Sequence, residues 1–320
     1  MKAIVFPGQG SQFVGMGKDL CNSFPEAKEI FEEVDDTLQQ NLSQIMFDGP
    51  DEILTLTENT QPAIMSVGIA IIAILKKRGF KIDLLSNILA GHSLGEYTAL
   101  AAADSLSLKD VSLLLKARGK AMQDAVPKGK GAMAAILGLS IKEVIQVINA
   151  NELNEKVFPA NDNADVQVVI SGLNENIEDS LEIFTKNGAK KALKLSVSAP
   201  FHCPLMKPAK IVMKQTLDST ELYKPIVPVL SNVSVESESS TEEIKSNLIN
   251  QITELVRWRE IMIRFEQDGV IDFYEIGSGS VLSNLAKRSC PSFNRKSINC
   301  LLYTSPSPRD NSGSRMPSSA

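Results

Sequence analysis

The stretch Gly91-His92-Ser93-Leu94-Gly95 decides how the rest of the sequence is interpreted. It follows an apolar run, Ile88 to Ala90, and leads into a run typical of a helix, Glu96 to Ala103. This order predicts a strand, a sharp turn and a helix, with the serine hydroxyl accessible at the apex of the turn. The two glycines let the turn close without Cβ clashes. A five-residue pattern can also occur by chance in a loop, but the flanking strand and helix favour a functional turn.

The same turn would place the backbone N–H of Leu94 at the N-terminus of a helix. Unpaired amides and the helix dipole favour negative charge at that point. Acyl transfer requires at least a nucleophile and a donor that stabilises the oxyanion, and a serine beside such an amide provides both. Ser93 is therefore a candidate nucleophile, and Leu94 is a candidate donor of an oxyanion hole.

Length and composition are ordinary for a globular protein with one large domain or two modest ones. The chain has 320 residues, of which 43% are hydrophobic and 22% are charged. Its formal net charge of −5 argues against general binding to nucleic acid. The four cysteines show no CxxC or ligand-like spacing, so we expect neither a disulfide framework nor a metal site.

The first residues of the chain and the length of its apolar runs indicate where in the cell we expect the protein. Met1 to Phe6 lacks the charged and apolar regions of a secretory signal. The longest apolar run, Ile64 to Leu75, is shorter than a membrane span requires. We therefore expect a reducing, cytoplasmic location and no membrane partner.

A loop rich in turn-forming residues, Pro7 to Gln12, follows a predicted buried strand, Lys2 to Phe6. A dinucleotide-binding loop would have a third glycine where this chain has Phe13, so that fingerprint fails. The loop could instead pack against the serine turn and contribute a second backbone amide to the oxyanion hole. The sequence leaves its position in space open.

The order of predicted elements indicates the fold class. Strands alternate with helices along most of the chain, which is typical of an α/β domain with a mostly parallel sheet. From Gly131 to Val197 the order becomes β-α-β-β-α-β, that of a ferredoxin-like subdomain. We expect a hydrolase-like large domain, 1–127 and 199–302, with the small subdomain 128–198 inserted and a ligand cleft between them. A tail poor in apolar residues, 303–320, should be disordered.

A predicted helix, Leu108 to Ala125, carries an arginine on its apolar side. On a helical wheel Arg118 falls in the middle of the apolar stripe, whereas Lys116 and Lys120 lie opposite. A guanidinium that faces the core needs an anion or a hydrogen-bond partner. A structural carboxylate or the carboxylate of a substrate could serve, and the residues alone do not separate the two.

The chain contains two histidines. His92 neighbours Ser93 in the turn, where adjacent side chains point apart. His202 is therefore the remaining imidazole that could act as general base for Ser93. A lone histidine in a loop is more often structural, but a serine nucleophile usually needs a histidine base.

Several motifs together resemble those of the malonyl-CoA:acyl carrier protein transacylases of fatty acid synthesis. They occur in the order and with the spacing of that family, from about Ala3 to Arg288. The chain departs from the pattern at Glu254-Leu255, where a proline is common, and the tail after Leu301 has no counterpart. The matching segments are Phe6-Pro7-Gly8-Gln9-Gly10-Ser11-Gln12, Gly91-His92-Ser93-Leu94-Gly95-Glu96-Tyr97, Arg118-Gly119-Lys120, Ala160-Asn161-Asp162-Asn163, Gln167-Val168-Val169-Ile170-Ser171-Gly172, Ser198-Ala199-Pro200-Phe201-His202, Gln251, Val256-Arg257-Trp258, Gly277-Ser278-Gly279 and Val281-Leu282.

The resemblance implies an activity and a set of residue roles. Ser93 would take the malonyl group from CoA as an ester. His202 would remove the serine proton and later activate the thiol of the carrier protein's phosphopantetheine arm. Arg118 would pair with the free malonyl carboxylate. The backbone amides of Gln9 and Leu94 would form the oxyanion hole.

Two further positions and the partners follow from the same resemblance. A main-chain carbonyl, rather than an aspartate, orients the histidine in the family, and Gln251 matches that position. Asn161 matches a position near the cleft, and we expect Asn161 and Gln251 to bind the substrate together with Arg118. The implied partners are acyl carrier protein and a coenzyme A thioester, with no resident cofactor.

Three other functions share some of these features. A discrete acyltransferase that serves a polyketide assembly line has the same motifs and differs in the carrier protein that it loads. A serine esterase or thioesterase uses the same serine and histidine but passes the acyl group to water. A non-catalytic protein that kept the fold is disfavoured because Ser93, His202 and Arg118 are all present.

Overall fold

The computed structural model describes residues 1–197, 199–237 and 240–299. The tail predicted to be disordered, 303–320, lies outside these residues, as do the predicted domain limits at Ser198 and position 302. A 3₁₀ turn, Pro204–Met206, precedes the helix that begins at Lys207. The elements in chain order are β1 Lys2–Phe6, α1 Lys18–Ser23, α2 Pro25–Leu38, α3 Leu42–Asp48, α4 Asp51–Leu54, α5 Thr57–Lys77, α6 Ile82–Leu85, β2 Ile88–Gly91, α7 Leu94–Ala102, α8 Leu108–Asp124, β3 Gly131–Leu137, α9 Ile141–Ala150, β4 Val157–Ala164, β5 Gln167–Leu173, α10 Asn174–Lys186, β6 Lys191–Lys194, α11 Lys207–Asp218, β7 Val229–Leu230, α12 Thr241–Gln251, α13 Trp258–Gln267, β8 Asp272–Ile276, α14 Val281–Ser289 and β9 Asn294–Ile298.

The larger sheet has five strands in the order β7-β2-β1-β8-β9, and every neighbouring pair is parallel. This confirms the predicted α/β domain with a parallel sheet. The central strands β1 and β2 are nearly continuous apolar runs because both of their faces are covered. Ile4 and Phe6 pack with α5, α7 and α8, whereas Ala3 and Val5 pack with α13 and α14 on the other face.

The register of β1 and β2 brings the two informative loops together. Phe6 pairs with Gly91 at the carboxyl ends of these strands, and the backbone N–H of His92 donates to the Phe6 carbonyl at 3.0 Å. The loop 7–12 and the serine turn therefore leave the same edge of the sheet side by side. In open α/β sheets this is the edge where ligands bind.

The longest helix, α5, begins earlier than the sequence pattern predicts. The apolar periodicity indicates a start at Ser66, but the helix begins at Thr57. Its first turns carry polar side chains that are buried and hydrogen-bonded, such as Thr60, whose Oγ1 donates to the Leu54 carbonyl at 2.6 Å. By length and composition α5 could cross a membrane, but 83% of its most apolar window is buried inside the fold. Packing in the core therefore accounts for its apolar character.

The smaller sheet is antiparallel, with the strand order β4-β5-β3-β6. The helices α9 and α10 cover one face of it, so the predicted ferredoxin-like arrangement is confirmed. The other face turns Met133, Ala135 and Val169 toward a cleft. The alternation of apolar and polar residues from Ala192 to Ser198 predicts a half-buried strand, but β6 ends at Lys194. The described residues that follow it line the cleft instead. The limits of the two domains stay a prediction.

Contacts between β4 and the segment before and within α13 hold the small subdomain in place. The Ala160 carbonyl accepts from the Val256 N–H, and the Asp162 N–H donates to the Val256 carbonyl, both at 2.9 Å. The buried carboxylate of Asp162 also pairs with Arg259 at 3.0 Å. Burial raises the pKa of Asp162 even though Arg259 opposes that shift. These contacts fix one wall of the cleft.

Two parts of the large sheet differ from the expectation. Ile82 to Ala90 has the pattern of one strand, but Ile82–Leu85 is a short helix and only Ile88–Gly91 joins the sheet. The Ser86 hydroxyl donates to the Ile88 carbonyl at 2.7 Å, a local bond that competes with strand pairing. The sequence does not predict β9, because Asn-Arg-Lys-Ser-Ile lacks apolar alternation, as exposed edge strands often do.

Gly91→Ala should destabilise the fold strongly. A Cβ at this position would lie 1.8 Å from the carbonyl carbon of Gly95, so β2 and α7 could not keep their spacing. We expect the free energy of unfolding, measured by urea denaturation, to fall by at least about 3 kcal/mol. Gly68→Ala is the matched control, since its Cβ would come no closer than 3.1 Å to Thr98. Equal losses of stability in the two variants would contradict this account.

Candidate active site

Ser93 occupies the tight turn between β2 and α7. Its φ of 54° and ψ of −110° are strained for a residue other than glycine, as is common at functional turns. Glycine is required at Gly95 because a Cβ there would lie 2.3 Å from the carbonyl oxygen of Phe6. Asn232 holds the turn from outside: its Oδ1 accepts from the Ser93 N–H, and its Nδ2 donates to the Gly91 carbonyl, both at 2.7 Å.

The hydroxyl of Ser93 contacts the imidazole of His202. Ser93 Oγ and His202 Nε2 are 2.8 Å apart, and His202 Nδ1 lies 2.8 Å from the main-chain oxygen of Gln251. Because a carbonyl oxygen can only accept, Nδ1 carries the ring hydrogen, and Nε2 is left to accept the serine proton. The structure therefore brings together the serine and histidine that the sequence paired, and the backbone of Gln251 orients the ring.

Burial sets the protonation state of His202. The residue is 4% exposed, and desolvation, followed by the charge of Arg118, lowers its pKa from an ordinary 6.5 to about 3. The Gln251 carbonyl opposes part of this shift because it favours the protonated ring. The imidazole is therefore neutral at neutral pH and can accept a proton.

Arg118 reaches the same hydroxyl from α8. It is 1% exposed, and its Nη2 donates to Ser93 Oγ at 3.0 Å. Its other hydrogen bonds go to amide oxygens: Nη1 donates to Gln61 Oε1 and Nη2 to Gln251 Oε1, both at 2.8 Å. The guanidinium carbon also lies 5.4 Å from the ring centroid of Tyr97. The core-facing position expected from the helical wheel is thus observed, with neutral partners.

No ion pair among the described residues includes Arg118. Glu96 acts on the guanidinium electrostatically, and the side chain of Gln251 bridges the two. Gln251 Oε1 accepts from Arg118, while its Nε2 donates to Glu96 Oε2 at 2.7 Å. Desolvation lowers the pKa of Arg118. The site therefore holds a desolvated positive charge on neutral acceptors, an arrangement that can receive an anion.

His92 is not part of the serine–histidine contact. Its Nε2 lies 2.8 Å from Asn163 Oδ1 and 3.4 Å from Asn161 Nδ2. Its ring packs against Trp258, with the ring centroids 5.5 Å apart. This placement supports the choice of His202 as the base, and it puts Asn161 on the cleft wall beside His92.

These groups open into a cleft of about 540 Å³ between the large domain and the small subdomain. Gln251 lies behind the cleft, where its Nε2 also donates to the main-chain oxygen of Ser93 at 3.1 Å. The structure thus gathers all the predicted site residues, although their separate roles are not settled by position. Those that line the cleft are Gln9, Ser93, Leu94, Arg118, Asn161 and His202.

Sequence patterns miss several residues that support the site. Gln61 belongs to a polar run at the start of α5, and such a run usually indicates an exposed helix end. Glu96 and Tyr97 follow the serine turn directly, and only their place within the motif signals a role. Asn232 lies in a loop after β7. Its neighbours in the sequence do not indicate a role, because only the folded sheet brings it to the serine turn.

Comparisons with known proteins give a consistent result. The family described as acyl transferase domain matches residues 3–301. Over 287 residues, 89% of each chain, this sequence is 46% identical to the malonyl CoA-acyl carrier protein transacylase of Bacillus subtilis. Over 297 residues it is 41% identical to the enzyme of the same name from Haemophilus influenzae, covering 93% of this chain and 95% of that one.

Solved structures agree with the sequence comparisons. The acyl-carrier-protein-S-malonyltransferase of Bartonella henselae superposes with a TM-score of 0.91 at 45% identity, covering 94% of this chain and 96% of that one. A malonyl-transacylase in complex with a type II polyketide synthase acyl-carrier protein superposes with a TM-score of 0.89 at 40% identity, covering 93% and 95%. On the fold, the site geometry and these similarities, the chain belongs to the acyl transferase family and, within it, to the malonyl-CoA:acyl carrier protein transacylases.

Proposed function

We propose that this chain moves a malonyl group from malonyl-CoA to the phosphopantetheine thiol of acyl carrier protein, for fatty acid synthesis, through a malonyl ester on Ser93. One observation carries the proposal: a buried guanidinium held on neutral acceptors contacts the same hydroxyl that an imidazole is placed to deprotonate. A malonyl group has an acyl carbon that the serine hydroxyl can attack and a free carboxylate that the guanidinium can bind. The names of the relatives support the same donor and acceptor.

In the first half-reaction Ser93 Oγ attacks the thioester carbon of malonyl-CoA while His202 Nε2 takes the hydroxyl proton. The tetrahedral intermediate then loses its C–S bond, and the imidazolium returns the proton to the departing sulfur. The Gln251 carbonyl accepts from Nδ1–H throughout and stabilises the imidazolium. The products are malonyl-Ser93 and free CoA.

The second half-reaction reverses these roles with a different thiol. The phosphopantetheine thiol gives its proton to His202 Nε2 and attacks the ester carbon. The C–O bond to Ser93 breaks, and the imidazolium protonates Oγ. The neutral His202 that burial favours is the form required at the start of both steps.

The backbone amides of Gln9 and Leu94 are the proposed donors to the oxyanion that forms in each step. Leu94 is the first residue of α7, and the first N–H groups of a helix have no acceptor within that helix. Gln9 lies on the loop that leaves β1 beside the serine turn. Loss of one such donor typically costs about 3 kcal/mol of transition-state stabilisation.

Arg118 would select malonyl over uncharged acyl groups. Its Nη2 already contacts Ser93 Oγ, so the carboxylate of a malonyl ester on that oxygen would lie within reach. An acetyl ester would leave the buried charge without an anion, which costs roughly several kcal/mol. Asn161 is proposed to contact the substrate from the cleft wall. A cytoplasmic location and the absence of a resident cofactor stay predictions from the sequence.

Incubation with malonyl-CoA should leave one malonyl group on the protein, detected by intact-mass analysis. Ser93→Ala should abolish the adduct because no other hydroxyl contacts His202 among the described residues. Ser196→Ala is the control, since Ser196 lines the same cleft and should label normally. An adduct that persists in Ser93→Ala would exclude the proposed intermediate. Release of free malonate at a rate independent of carrier protein would indicate a thioesterase instead.

The rate of Ser93 acylation should stay high at mildly acidic pH. A base acts only when unprotonated, and the pKa of His202 is lowered to about 3, so activity should persist below the ordinary 6.5. We expect single-turnover acylation by malonyl-CoA to show an acidic limb with an apparent pKa below about 5. A limb centred near 6.5 would mean that the imidazole is solvated during catalysis.

Arg118→Ala should lower kcat/KM for malonyl-CoA by roughly 100-fold or more, since truncating one partner of a buried charge pair typically costs about 2–5 kcal/mol. Transfer from acetyl-CoA, measured in parallel, should fall much less, so that the preference for malonyl is lost. Lys120→Ala, an exposed cation on the same helix, is the control and should keep the preference. An unchanged donor preference in Arg118→Ala would remove this residue from its proposed role.

A further inference from the structure

Gln61 occupies a position beside Arg118 where a carboxylate would be the simpler partner. It is 1% exposed on α5, and its Oε1 accepts from Arg118 Nη1 at 2.8 Å. The amide nitrogen has a poor acceptor, the sulfur of Met122 at 3.9 Å. A glutamate would keep the acceptor oxygen and would not bury an N–H that bonds so weakly. It would also place a negative charge in direct contact with the guanidinium.

The rest of the guanidinium's contacts are also neutral. Gln251 Oε1 and the Ser93 hydroxyl accept from Nη2, and the ring face of Tyr97 lies close by. These groups hold the two terminal nitrogens and the face of the guanidinium, while its buried Nε has no hydrogen-bond partner among the described residues. They do not neutralise it, since none of them carries a negative charge.

The carboxylate in this region, Glu96, already accepts hydrogen bonds from two residues that hold the serine turn. Its Oε2 accepts from the Asn232 N–H at 2.9 Å and from Gln251 Nε2 at 2.7 Å. The amide of Gln251 therefore separates this carboxylate from the guanidinium of Arg118. Electrostatic attraction falls with distance, so an anion that contacts Arg118 directly interacts with it more strongly than Glu96 does.

We propose that Gln61 is a specificity-determining residue: its neutral amide holds Arg118 in place and leaves the positive charge for the carboxylate of the acyl donor. This inference rests on the proposed function, because it assumes that the donor group carries a carboxylate. It assigns Gln61 a positioning role, since Gln61 acts on the substrate through Arg118.

The test separates charge from position with two variants of similar size. Gln61→Glu keeps the acceptor oxygen but pairs Arg118 internally, so the ratio of kcat/KM for malonyl-CoA to that for acetyl-CoA should fall more than tenfold. Gln61→Met removes the acceptor but not the free charge, and Gln251 and Tyr97 still position Arg118. Its rates should fall, because a charge-assisted hydrogen bond is lost, but the ratio should stay within about threefold of the wild-type value, because that loss affects both donors.

Thermal melting adds a readout that simple damage to the core would not give. Gln61→Glu should melt no lower than the wild type, because a buried guanidinium gains a counter-ion, while its malonyl preference falls. Gln146→Glu, which adds the same charge on the exposed side of α9, is the matched control and should leave the ratio unchanged.

Two outcomes would overturn the inference about Gln61. They are a wild-type ratio in folded Gln61→Glu, whether or not both rates fall, and a loss of malonyl preference in Gln61→Met. The last outcome decides the question even if Gln61→Glu does not fold. A wild-type protein that transfers no malonyl group would instead reject the proposed function itself, so the two failures are distinguishable.

Discussion

A positive charge buried next to the serine turn constrains much of the surrounding structure. Removing a guanidinium from water is costly unless hydrogen bonds and an anion compensate. Here the hydrogen bonds come from Gln61, Gln251 and Ser93, so three distant parts of the chain must meet at Arg118. This requirement explains why the first turns of α5 are polar yet buried: a helix that began at Ser66, as its periodicity predicts, would leave Gln61 outside the core.

Gln251 connects the two chemical tasks of the site. Its main-chain oxygen orients the imidazole of His202, and its side-chain oxygen accepts from Arg118. Its side-chain nitrogen donates to Glu96 and to the main-chain oxygen of Ser93. One residue therefore sets the direction of the base, the position of the cation and the shape of the serine turn. An aspartate in its place could orient a histidine, but it would also neutralise the cation that the donor's carboxylate is proposed to meet.

The sequence predicts most of the fold and the central site, and the reasons for its failures are physical. Buried parallel strands such as β1 and β2 are recognisable because they are short apolar runs between turn formers. The glycines on either side of Ser93 are informative because backbone segments pack there too closely for any other residue. The edge strand β9 lacks apolar alternation, and the helix at Ile82–Leu85 is too short to show a helical period within its strand-like surroundings, so tertiary contacts decide both conformations. The roles of Gln61 and Asn232 cannot be recognised in the sequence for a similar reason. Their partners lie far along the chain, and a polar side chain by itself indicates an exposed position.

The segment from Gln251 to Arg259 links the chemistry to the cleft that contains it. Its first residue orients His202 and contacts Arg118. A few residues later, Val256 exchanges backbone hydrogen bonds with β4, and Arg259 pairs with the buried Asp162. The same short stretch therefore positions the base and anchors the small subdomain, whose β4 carries Asn161 on the opposite wall. Because both anchors belong to one segment, the imidazole and the small-subdomain wall of the cleft are held by the same support, and the fold cannot place one of them without placing the other.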